Sequence, residues 1–81
     1  MLTDLPNIGP VLSGHLRAAG IETAEQLRRL GAEEAFLRIR LIKPNACLHE
    51  LEALAGAAEG VRKCDLSVQR KTALKKWFMS L

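Results

Sequence analysis

Tyrosine is absent from these 81 residues, and the only aromatic side chains are Phe36, Phe78 and Trp77. β-Branched residues are also few, so the chain has little of what half-buried strands are built from. No apolar run approaches the roughly 18 residues needed to cross a bilayer, and a membrane-spanning helix is excluded. The first residues, Met1-Leu2-Thr3-Asp4-Leu5-Pro6, lack the basic-then-apolar order of a signal peptide. Only two cysteines are present, Cys47 and Cys64, and they form neither a CxxC pair nor a disulfide framework. A reduced, cytoplasmic setting is the expectation that fits. No glycine-rich loop ends in Gly-Lys-Ser/Thr, so nucleotide hydrolysis has no support.

What the chain does have is leucine and alanine, both good helix formers. Hydrophobic residues make up 48% and charged residues 26%, ordinary values for a globular protein. A chain this short predicts one domain, residues 1–81, with a modest core that buries only about 60% of the unfolded surface. The formal net charge is +3, unevenly placed. Residues 1–40 balance five basic side chains against five acidic ones, whereas residues 41–81 carry seven against four. Six of these seven, Arg62, Lys63, Arg70, Lys71, Lys75 and Lys76, fall in one stretch with Asp65 as the sole acid. Such a patch is either a solvated helix face or a surface that meets phosphates or an acidic protein.

Five helices are legible along the chain. Pro10 suits a first helical position, Leu12, Leu16 and Ala19 recur at helical spacing, and Gly20-Ile21 is a helix-ending pair. Thr23-Ala24-Glu25-Gln26 has the form of a capping box, with Ala24, Leu27 and Leu30 on the following apolar face and Gly31 as its stop. Ala32 to Ile42 is ambiguous. Phe36, Ile39 and Ile42 fit a helix, while Leu37 to Leu41 alternates like a strand. A lone strand would have no partner and Glu33-Glu34 suits a first turn, so helix is expected. A fourth helix runs from about Ala46 to Ala58, with a nearly side-chain-free end at Ala55-Gly56-Ala57-Ala58 that permits a close helix neighbour. Ser67 caps the last, whose stripe is Leu74, Trp77, Phe78 and Leu81.

Leu5-Pro6-Asn7-Ile8-Gly9-Pro10, followed by Leu12, Leu16 and Gly20-Ile21, resembles half of a helix-hairpin-helix element. There a tight loop points main-chain N–H groups outward from a helix start, where a DNA phosphate can sit. Contacts of that kind position a protein without reading sequence. The usual pattern has Gly where Asn7 stands; Asn tolerates left-handed backbone, although it adds a side chain to the loop.

A second resemblance spans nearly the whole chain. The same opening, then Gly20-Ile21-x-Thr23 with Leu27, Leu30-Gly31-Ala32, Ala35-Phe36, Leu51-x-Ala53-Leu54-x-Gly56-Ala57 and Gly60-Val61-Arg62, resembles the TfoX/Sxy carboxy-terminal domain family. The resemblance implies an all-helical domain related to helix-hairpin-helix folds, without enzymatic activity, linked to regulators of DNA-transformation competence and transcription. The family often has Trp where Lys63 stands, and its amino-terminal domain does not precede the motif, so a stand-alone or excised domain is expected.

Catalytic chemistry finds few materials. His15 and His49 read as surface or core-edge residues. Cys47, His49 and Cys64 lack a fourth zinc ligand, and free cysteine is more often a small buried hydrophobe. Glu33, Glu34, Glu50 and Glu52 suit helix dipoles or exposed positions better than acid–base work. Trp77-Phe78 reads as core packing rather than an interface anchor. The expectation is therefore an all-α, compact bundle of about five short helices with a helix-hairpin-helix-like amino-terminal element. No cofactor or metal is expected. Its function is non-enzymatic regulatory binding of a protein or DNA, with no membrane. The alternatives are a sequence-independent DNA module, touching DNA through Asn7, Ile8, Gly9, Val11, Lys71, Lys75 and Lys76, and a homo-dimeric or larger scaffold completed by a second copy.

Overall fold

The computed structural model describes residues 2–81. Four α-helices carry it: α1 Pro10–Ala18, α2 Ala24–Ile42, α3 Leu48–Glu59 and α4 Val68–Met79, with short 3-10 turns at Leu2–Asp4 and Lys63–Asp65. No strand occurs among the described residues, so the alternation at Leu37–Leu41 is a helical surface and not a strand.

Local chemistry sets most of the ends. The α1 terminus closes through Gly20, at φ 84°. The Gly20 N–H donates to the Arg17 carbonyl at 2.9 Å, and the Ile21 N–H donates to the Leu16 carbonyl at 2.8 Å. Ile21 then turns fully into the core. The same bond pattern recurs where Val61 N–H donates to the Gly56 carbonyl at the end of α3. At the start of α2, the Gln26 N–H donates to Thr23 Oγ1 and the Thr23 N–H donates to Gln26 Oε1, both at 3.1 Å. The capping box is real.

Two expectations about helix count and faces are corrected. The expected second and third helices abut within α2, meeting across a kink where Gly31 takes the non-helical φ 82° and ψ 164°. That conformation is open almost only to glycine, and it interrupts helical geometry at the residue expected to stop the second helix. Four α-helical elements result, one of them made of two expected helices joined end to end. Ile42 and Leu81, assigned to apolar stripes, are 55% and 47% exposed, because each lies at a helix end beyond the reach of the core. The fourth helix begins at Leu48, two residues later than expected, with Cys47 before it.

The core is continuous. Leu12, Leu27, Phe36, Ile39 and Leu54 all belong to it, together with Leu16, Leu51 and Leu74. α3 lies at the centre, packed against α2, α4 and the Lys63–Asp65 turn, while α1 packs on α2. Ala53, Leu54, Ala55, Gly56 and Ala57 are consecutive and all buried, the mark of a helix covered around its circumference. Trp77 and Phe78 both meet Phe36 edge-on, with ring centroids 6.1 and 5.8 Å away. They are packing residues, half-buried on the core.

Candidate functional site

The loop that enters α1 is held from beneath by one side chain. Asn7 takes φ 69°, the left-handed region in which Asn is tolerated. Its Nδ2 donates to the Val61 carbonyl at 3.0 Å and to the Ala53 carbonyl at 3.4 Å. Its Oδ1 accepts from the Lys63 N–H at 2.8 Å. The side chain thus points inward across α3 rather than out toward a ligand. Gly56 makes room for it: a Cβ there would stand 2.5 Å from Asn7 Nδ2 and 2.7 Å from the Val61 carbonyl oxygen. The small-residue end of α3 admits an amide side chain and a passing main chain at this point, where a neighbouring helix was expected.

With Asn7 fixed, the rest of the loop divides. Ile8 is buried, whereas Gly9 is exposed and Val11 is 73% exposed. The first helical bond of α1 runs from the Ser13 N–H to the Gly9 carbonyl, and no side chain caps the helix start. The amides of Val11 and Leu12 precede that bond, so they are the unfilled donors of the first turn.

The basic stretch also divides. Arg62 donates to Asp65 at 3.1 Å. Arg70 grips Glu33 through both terminal nitrogens, at 3.1 and 3.3 Å, and reaches Glu59 through Nε at 3.1 Å. The two-pronged hydrogen bond from Arg70 holds the Glu33 carboxyl below its usual range, against the opposing pull of partial burial. Arg70 therefore ties α4 to α2 and α3. Lys71, Lys75 and Lys76 have no carboxylate partner among the described residues. They lie on α4, which packs on α3, while the Gly9–Val11 loop opens α1, which packs on α2. The residues expected to act together thus sit on elements whose main packing is with different neighbours.

Three features escaped sequence reasoning. Lys43 Nζ meets Glu50 Oε1 at 2.6 Å, joining the connector to α3. His15 Nδ1 of α1 lies 3.7 Å from Glu50 Oε2, both atoms buried with no hydrogen bond among the described residues. His15 and Glu50 lie on different helices, and a connector separates Lys43 from Glu50, so no helical spacing rule links them. A crease of about 150 Å³ opens beside the α2 kink, lined by Gly20, Gln26, Arg29, Leu30 and Arg38, none of them an expected site residue. Cys47 and Cys64 are both exposed, against the expectation of buried thiols, because each sits in a connector outside the helix faces. His49 faces Glu52 at 3.7 Å, and no group of three or more His, Cys, Asp or Glu side chains able to hold a metal ion assembles among the described residues.

The family model for the TfoX C-terminal domain matches residues 1–78. The chain belongs to that family. Protein Sxy of Escherichia coli (strain K12) is 38% identical over 82 residues, a match that covers 99% of this chain and 38% of that protein. The chain thus spans well under half the length of this curated relative. A crystal structure of an uncharacterized protein from Listeria monocytogenes in a triclinic form superposes with a TM-score of 0.96 at 46% identity, covering 98% of this chain and 90% of that one. A protein of unknown function from the same organism, in a tetragonal form, gives 0.97 at 45% identity, covering 99% and 98%. Three of the motif blocks that carried the family resemblance meet in space: Asn7 of the opening lies over Gly56 of the Leu51–Ala57 block and against Val61 of the Gly60–Arg62 block.

Proposed function

We propose that this TfoX C-terminal domain is a non-enzymatic regulatory binding module, serving the control of DNA-transformation competence and transcription. The supporting observation is the family match over residues 1–78 together with the relationship to Protein Sxy. The architecture accords with a binding role: a rigid core holds one loop and one helix face outward. The test is a chimera in which this chain replaces the matching part of Protein Sxy. Restored transformation frequency and competence-gene transcripts are expected; a chimera that accumulates normally and restores neither overturns the reading.

A second reading is sequence-independent DNA contact by a helix-hairpin-helix-like element. It is favoured by the uncapped start of α1, where main-chain donors at Val11 and Leu12 adjoin exposed Gly9. Titration against duplex DNA would then weaken with salt, with a log–log slope of about −0.9 per phosphate neutralised. No binding at low salt disposes of it.

A further inference from the structure

We propose that the outward face of α4 docks an acidic amphipathic segment of a protein partner, with Lys71, Lys75 and Lys76 reading its carboxylates and Val68 and Met79 covering its apolar side chains. This rests on the reading of the domain as a protein-binding module and names the surface that does the binding.

The inner side of α4 is fully occupied. Leu74 is buried, Trp77 and Phe78 pack on Phe36, and Arg70 is clasped by Glu33 and Glu59. The opposite side follows the helical repeat through Val68, Thr72, Lys75 and Met79, at i, i+4, i+7 and i+11. Val68 is 79% exposed and Met79 72%, one at each end of the helix, about 16 Å apart at 1.5 Å per residue. Scattered exposed apolar residues are ordinary, but these two share one line with a lysine between them and lysines on either flank.

Charge selects the occupant. α4 contains no acidic residue. Its one arginine is neutralised from α2 and α3, whereas its three lysines have no internal counter-ion among the described residues. Lys75 and Lys76, near the carboxyl end, suit the helix dipole. Lys71 does not: it follows three residues into the helix, at the end where positive charge is disfavoured, and lacks the carboxylates that compensate Arg70. Lys71 is half-buried at the flank of the exposed face, and a positive charge held there at a local cost is matched by an acidic surface. A phosphate backbone would answer the lysines but leave Val68 and Met79 against polar groups. A helix with carboxylates one turn apart beside leucines answers both.

The probe is a synthetic helical peptide of alternating Glu and Leu turns, with a Lys-for-Glu peptide and a random-sequence DNA duplex as comparison ligands, each titrated into the isotope-labelled 81-residue chain. The acidic peptide is expected to shift the amides of Val68–Met79, and the Lys-for-Glu peptide to shift none. K71E/K75E/K76E is expected to weaken binding by about tenfold or more, and V68S/M79S to weaken it while the lysines remain. Equal affinity in the charge-reversed variant, or shifts confined to the α1 start, overturns the proposal. So does duplex DNA bound at α4 with no loss in V68S/M79S. Unchanged thermal midpoints show that the variants stay folded. In a pull-down from native cytoplasm, a nuclease-resistant protein captured equally by the charge-reversed variant sinks this surface alone, whereas capture of no protein by the unaltered chain sinks the protein-binding reading itself.

Discussion

α3 and α4 are each twelve residues long, yet they serve opposite ends. Six residues of α3 are buried, five of them in an unbroken run, and it packs against α2, α4 and the Lys63–Asp65 turn. α4 buries Leu74 alone and is held by an aromatic pair and one arginine. A helix of small and aliphatic residues can be surrounded; a helix with exposed lysines at 75 and 76 and a half-buried one at 71 can only be covered on one side. The difference teaches where substitution cost is concentrated and where surface is left for a partner.

The comparison is sharpened first in the middle of α3. Leu54→Ala removes a fully buried side chain and is expected to cost about 2–5 kcal/mol in urea unfolding. Gly56→Ala comes next. Its new methyl group displaces the Asn7 amide and the Val61 carbonyl, and the loss should reach about 2 kcal/mol even after the roughly 1 kcal/mol that Ala gains over Gly in a helix. Asn7→Ala strands the Lys63 N–H and adds backbone strain, for about 1–3 kcal/mol, while Asn7→Gly relieves the strain and isolates the hydrogen bonds.

Smaller effects belong to α4. The folded pKa of Glu33 is depressed, so the stabilisation from its pairing with Arg70 is present above the unfolded carboxylate pKa and is lost as pH falls through the folded value. Arg70→Gln should therefore lower the unfolding free energy from urea titration at neutral pH by about 0.5–1 kcal/mol, given partial exposure, and the gap to the unaltered chain should close in acid. Smallest of all, Val68→Ser and Lys75→Gln should move stability within about 0.5 kcal/mol. If either cost as much as Leu54→Ala by thermal unfolding, the contrast between the two helices would be broken.

Much of the fold could be read from residue order. Thr23 and Gln26 announce their cap because both partners lie within one turn, and Gly20-Ile21 announces a helix end for the same reason. Gly31 was legible as a break, whereas the direct abutment of the two helical segments across it, with no connector between them, was not. The candidate site was less legible. Arg70 and Lys71 are neighbours of like charge, yet only contact with Glu33, 37 residues away, shows that the first is structural. The role of Asn7 was hidden similarly, because its partners lie 46 to 56 residues along the chain.

Composition and spacing by themselves determined an all-helical chain, its caps, its apolar core and an excess of positive charge in its second half. Those properties are local, fixed by backbone preference and by which side of a turn a residue occupies. Which glycine must stay bare, which cations are already neutralised and which face remains open were decided only when distant segments were brought together. Hydrogen bonds and ion pairs act over a few ångströms, and sequence separation carries no information about that distance until the chain has folded.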